Sequence, residues 1–187
     1  MKAIMLSIQP QWVAKILNGE KNIEIRKRFP IDYIGWVYVY CTKDNSKEND
    51  CNVIGRCYPI ETALKTIIGK GKVVARFWCD NVSRFDFNEI IHDYTYANRQ
   101  MKLMTEFLKN AQVPYDEIIA YGKGKDLRAI HITKLEIFDT PKELKEFNVW
   151  RKKTIYSGVD CPPYVDDVNV PLTRAPQNWC WVEGEKE

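Results

Sequence analysis

Histidine is scarce in this chain, with only His92 and His131 present. That leaves few ways to build a His-based nucleophilic triad, and no serine in a sharp glycine turn accompanies either one. Paired metal ligands are missing too. The nearest of the six cysteines, Cys51 and Cys57, have five residues between them, outside the two-to-four spacing on which structural zinc sites rest. Nucleotide-phosphate loops are absent: Gly69-Lys70-Gly71-Lys72 and Gly122-Lys123-Gly124-Lys125 lack the spacing and the following Ser or Thr, and read as turns. Nothing around them matches, so they do not signal a duplication. The expectation is therefore a protein with no metal and no cofactor. No apolar run approaches a membrane span, and residues 1–6 are too short an apolar stretch for a secretion signal, so the chain reads as cytoplasmic with its cysteines as reduced thiols. A strong charge excess is also lacking. With 28 basic and 25 acidic residues the net charge is +3, which suits a short single-stranded or nucleotide-sized ligand better than a long duplex held by counterion release.

What the chain does have is length for one domain with a true core, and many flat side chains. Aromatics make up 12% of 187 residues, including six Trp and ten Tyr, able to fill a core or to stack on bases. Residues 3–8 read as a first strand. Pro10 then opens a short helix with Trp12, Val13, Ile16 and Leu17 on its apolar face, stopped by Gly19. Residues 35–41, β-branched and aromatic throughout, predict a central strand buried on both faces. A loop over 42–52, a short helix over 59–68 and a second strong strand over 72–80 follow.

Residues 84–121 change character. Met101, Met104, Phe107 and Leu108 keep helical spacing and Pro114 starts another short helix, which together predict a helical insertion at about 84–121. Residues 127–138 read as one long strand. Thr140-Pro141-Lys142-Glu143 has the arrangement of a capping box opening a helix that runs to about Phe147. Residues 149–173 read as irregular, and 174–182 return to strand-like chemistry. The sum is an α+β chain, a mixed β-barrel with flanking helices, in a single domain over residues 1–187.

The segment with most chemistry is Gly19-Glu20-Lys21-Asn22-Ile23-Glu24-Ile25-Arg26. Strand alternation puts Asn22, Glu24, Arg26 and Arg28 on one face, opposite Ile23, Ile25 and Lys27, with Lys21 at the strand entrance. This pattern fits either a wall that receives an anion or a base edge, or a solvated strand face whose charges neutralise each other.

Gly19-x-Lys21-x-x-Glu24-x-Arg26 resembles the signature of the ASCH family, a branch of the PUA-like superfamily found in bacteria and their phages. Three further stretches share the resemblance: Leu6-Ser7-Ile8-Gln9-Pro10, the run from Ile130 through His131 and Phe138 to Pro141, and Ala175-Pro176-Gln177-Asn178-Trp179-Cys180-Trp181-Val182. It implies a PUA-like barrel whose cleft binds RNA, a nucleotide or a modified nucleoside. Lys21 and Arg26 would meet phosphate or a base acceptor, Glu24 would accept from an exocyclic amine, and Trp179 or Tyr40 would stack on a ring. Ser7, Gln9, Arg28, His131 and Gln177 complete the expected ligand-binding set.

Two other functions stay open at this level. Some ASCH-like proteins are amidohydrolases of acetylated cytidine, with a catalytic set resembling a lysine, a threonine three residues later and a distant glutamate. Here Glu24 stands at the threonine position, and a carboxylate there serves as acceptor or base rather than as an acylated oxygen. Others are ribonucleases, for which Lys21 and Glu24 would be the catalytic pair and Arg26 the clamp. The third reading is a protein-interaction module with a degenerate cleft.

Overall fold

The computed structural model describes residues 2–43, 70–85, 97–155 and 164–184. Most of the loop expected over 42–52, the helix expected over 59–68, and Cys51, Cys57, His92 and Cys161 lie outside the described residues. The architecture is α+β and mostly sheet. In chain order the elements are β1 (Lys2–Ile8), α1 (Pro10–Leu17), β2 (Ile23–Arg26), β3 (Gly35–Cys41), β4 (Val73–Cys79), β5 (Val82–Phe85), α2 (Ala97–Ala111), α3 (Tyr115–Gly122), β6 (Leu127–His131), β7 (Thr133–Lys142), a 3-10 turn (Leu144–Glu146), β8 (Asn148–Ile155), β9 (Tyr164–Pro171) and β10 (Trp179–Glu183).

Among the described residues the strands form three sheets: β10-β1-β3-β4-β7, β2-β6-β5 and the hairpin β8-β9. The α+β class is as expected, and among the described residues the strands lie in layered sheets and no closed barrel is seen. The five-stranded sheet carries apolar side chains on both faces, as the unbroken runs of β1 and β3 require. Ile4, Leu6, Val37, Val39, Ala75 and Phe77 face α1 and the inner side of the three-stranded sheet, where Val82 and Ile130 join them. Met5, Tyr38, Tyr40, Phe147, Val149 and Leu172 fill the opposite side. The outer side of β2-β6-β5 is covered by α2 and α3, through Ile23, Ile25, Leu127 and Ala129 against Ala111 and Ile118. β3 lies between β1 and β4 and is buried along its whole length, as its sequence predicted.

Three expectations need correction. Residues 127–138 are not one strand: the chain breaks at Ile132, with β6 in the three-stranded sheet and β7 in the five-stranded one. The break is pinned by His131 N donating to Asn81 O and Ile132 N to Asn22 O. The capping box exists, but on Glu143 and Glu146, and it caps only a 3-10 turn. Thr140–Lys142 are taken by β7, whose Lys142 registers with Val73. Finally, residues 148–155 and 164–171 form a regular antiparallel ladder rather than an irregular stretch. Among the described residues, no helix is long and apolar enough to cross a membrane.

Candidate functional site

The site begins with the end of α1. Gly19 adopts φ 74°, a left-handed conformation that glycine takes without a Cβ clash. The turn it makes is held by Gly19 N donating to Ile16 O, and by Glu20 N and Lys21 N donating to Lys15 O, all at 3.0 Å. The chain therefore reverses tightly and delivers Lys21 inward instead of into water. Lys21 is only 1% exposed and Glu24 5%. Such burial of charge survives only with partners, and both have them.

Lys21 Nζ donates to Ala111 O at 2.6 Å, at the C-terminus of α2, and lies 3.4 Å from Glu24 Oε2. The ammonium also sits 5.4 Å from the centre of the Trp12 ring, within cation–π range. Burial pushes the Lys21 amine below its usual value, with Glu24 opposing that shift. On the other side, Arg26 Nε lies 2.9 Å from Glu24 Oε1, an ion-pair contact too far from linear to make a hydrogen bond, since that nitrogen has no hydrogen-bond partner. Its two remaining nitrogens are engaged: Nη1 donates to Asn178 Oδ1 at 3.0 Å and Nη2 to Ser7 O at 2.7 Å. Arg26 thus ties β2 to β1 and to the segment before β10.

That segment forms the next wall. Ser7 Oγ donates to Pro176 O at 2.6 Å and Ser7 N to Asn178 O at 3.0 Å. Ser7 registers with Tyr40 across the parallel pair β1 and β3, so both stand near the carboxyl ends of those strands. There a cavity of about 600 Å³ opens, within the range of small-molecule sites. Ser7, Gln9, Lys21, Glu24, Arg26, Tyr40 and Gln177 line it.

Three residues read from the sequence as ligand-binding lie elsewhere. Arg28 is exposed and offers its carbonyl to Asn178 Nδ2 at 3.3 Å. His131 ends β6 opposite Ile23. Trp179 packs edge-on against Phe29, ring centres 6.0 Å apart, and against Trp181 at 5.7 Å.

Several lining residues were not anticipated. Trp12 and Tyr121 supply aromatic surface besides Tyr40, Ile25, Val113 and Ile118 supply apolar surface, and Lys43 and Glu117 are charged. Helical periodicity had placed Trp12 on the apolar face of α1, and that face does meet the core, yet Trp12 is only partly buried and its ring reaches the cavity. The α3 residues carry no local signal, since they arrive through the packing of α3 beside β2.

The outcome is a half-open, largely aromatic and apolar chamber with a buried Lys21–Glu24–Arg26 chain in its wall. Arg26 uses one N–H of each Nη on the protein, so within the buried chain the polar capacity for a ligand lies mainly in the unused lone pairs of Glu24 and the remaining protons of Lys21, with Gln9, Lys43, Glu117 and Gln177 adding polar groups around them.

No protein-family model matches the chain, and no curated protein matches it. Among solved structures, the crystal structure of ASCH from Zymomonas mobilis superposes with a TM-score of 0.53 at 14% identity, covering 97% of this chain and 87% of that one. A serine-to-alanine mutant of the same protein gives a TM-score of 0.52 at 15% identity, covering 97% and 88%. The fold of this chain is that of an ASCH domain.

Proposed function

We propose that the cleft binds a nucleobase-containing ligand, either one residue of a single-stranded RNA or a free, modified nucleoside or nucleotide. The observation that carries this reading is the pairing of a buried, charged recognition wall with aromatic surface in one nucleoside-sized chamber. Flat heterocycles combine a face that stacks with an edge that donates and accepts hydrogen bonds, and such ligands need both kinds of wall. Trp12, Tyr40 and Tyr121 offer the faces. Glu24 offers an acceptor for an exocyclic amine or ring N–H, and Lys21 a donor for a ring acceptor or carbonyl. Arg26 holds Glu24 in place and is a positioning residue.

Calorimetric titration of the four ribonucleosides, their modified forms and a short single-stranded RNA tests the reading. Binding of at least one probe, weakened about tenfold or more in Lys21→Met and in Trp12→Ala, is the expected result. Affinity unchanged in both folded variants would overturn it.

A hydrolytic reading has its own observation. The Lys21 amine, lowered by burial and 3.4 Å from Glu24, is placed to exchange a proton with a bound substrate. Incubation with RNA and with N-acylated nucleosides distinguishes the two. Turnover that disappears in folded Glu24→Gln supports hydrolysis, whereas binding without turnover leaves recognition as the function.

A further inference from the structure

β2, β6 and β5 bring three arginines into one row. Arg26 registers with Arg128, and Arg128 with Arg84, so the three share the inner face of the three-stranded sheet. Directly opposed like charges repel across a strand pair, and a sheet tolerates them where something neutralises them. Two of the three have a carboxylate: Arg26 has Glu24 at 2.9 Å and Arg84 has Asp126 at 2.8 Å. Arg128, the middle one, has no such contact among the described residues, and its Nη1 is buried without a hydrogen-bond partner. A guanidinium nitrogen withdrawn from bulk water and left unpaired calls for an acceptor, and between two other arginines an anionic one is favoured over a neutral one. The row starts in the wall of the cleft, since Arg26 lines it, and ends in water, where the Arg84 side chain is 55% exposed.

We infer that Arg128, flanked by Arg26 and Arg84, is a phosphate-binding residue that holds the phosphate of the ligand whose base occupies the cleft. The inference rests on the base-binding reading for what fills the cleft, but the anion site has its own probe. Arginine suits the task because its planar fork meets two phosphate oxygens at once. Arg26 is held by Ser7 and Asn178 through one N–H of each Nη, so it contributes mainly its field, while Arg84 closes the outer side.

The experiment compares, by calorimetry at low and at high salt, a ribonucleoside, its 5′- and 3′-monophosphates, and inorganic pyrophosphate. The proteins are the natural chain, Arg128→Gln, Arg128→Lys and, as a control for general charge, Arg151→Gln on the exposed β8. One monophosphate is expected to bind the natural chain about tenfold more tightly than the nucleoside. That ratio falls to about one in Arg128→Gln, falls part of the way in Arg128→Lys, and holds in Arg151→Gln. A ratio that persists in Arg128→Gln, or drops equally in Arg151→Gln, overturns the assignment. Should Arg128→Gln not fold, Arg128→Lys carries the test, since it keeps the charge and loses the fork. If no nucleoside binds, the base-binding reading fails by itself and pyrophosphate decides the anion site: binding lost with Arg128 upholds it, and no binding, or binding that survives the substitution, refutes it.

Discussion

β2 and the β8–β9 hairpin both set acidic and basic side chains within reach of one another, and the surroundings make them different objects. In the hairpin Lys152 registers with Asp167 and Lys153 with Asp166, all of them exposed. In β2 Glu24 and Arg26 alternate with isoleucines just as a solvated strand would, but the sheet is covered on both sides, by α2 and α3 outside and by the five-stranded sheet inside. Water neutralises the hairpin charges, while protein must neutralise those of β2. Charged strand residues thus form a solvated ribbon in one place and a buried wall in the other, and the difference lies in what packs above.

The largest effect that would sharpen this contrast is expected for Glu24→Ala. It leaves the buried Lys21 and the partly buried Arg26 without their shared carboxylate, which should lower unfolding stability in urea by about 3–5 kcal/mol. A loss below about 1 kcal/mol would mean that the wall is solvated after all, like the hairpin. Next comes Lys21→Met, which keeps the stem but strands Ala111 O and should destabilise by about 1–3 kcal/mol.

The same variant has a pH signature. The folded-state value of Lys21 is lowered, so between it and 10.5 the unfolded chain holds more protons than the folded one. The contribution of this group to stability therefore rises with pH in that window. The advantage of the natural chain over Lys21→Met in melting temperature should widen as pH rises through that window and stay constant below it; an advantage that does not change across the alkaline range up to 10.5 would contradict the burial of the amine. Ser7→Ala removes the 2.6 Å bond to Pro176 O and should cost about 1 kcal/mol, readable in the same urea curves. The smallest effect belongs to the hairpin: Lys152→Gln and Asp167→Asn should each change stability by well under about 1 kcal/mol. A larger loss there would erase the comparison.

Where the sequence spoke plainly, one element had one environment. β3 and β4 are apolar and β-branched, and their burial follows directly. Gly19 after Ile16 and Leu17 announced the turn that aims Lys21, and the Lys21–Glu24–Arg26 grouping was visible in the spacing. What alternation hides is coverage, because Glu24 on a solvated face and Glu24 between two sheets have the same neighbours in sequence. β8 and β9 carry no strand signal for a related reason: Arg151-Lys152-Lys153 and Asp166-Asp167 interrupt the apolar pattern on which strand recognition depends, and only the pairing of the two segments makes them a ladder. Ile130-His131-Ile132 continues the alternation through a point where the chain changes sheets, and that change is dictated by the backbone bonds to Asn81 and Asn22. Trp12 and Trp179 exchange roles in the same way. The tryptophan on a helix face reaches the cavity, and the one in the motif-like ending packs on Phe29.

The central claim, that the covered strand forms a ligand site and the exposed hairpin does not, is tested most directly by following tryptophan indole N–H resonances during a nucleoside or nucleotide titration. Trp12 in the cleft should shift in a saturable manner, while Trp150 on β8, 58% exposed, should stay where it is. Shifts at Trp150 with Trp12 unmoved, or no saturable shift with any probe, would contradict the account.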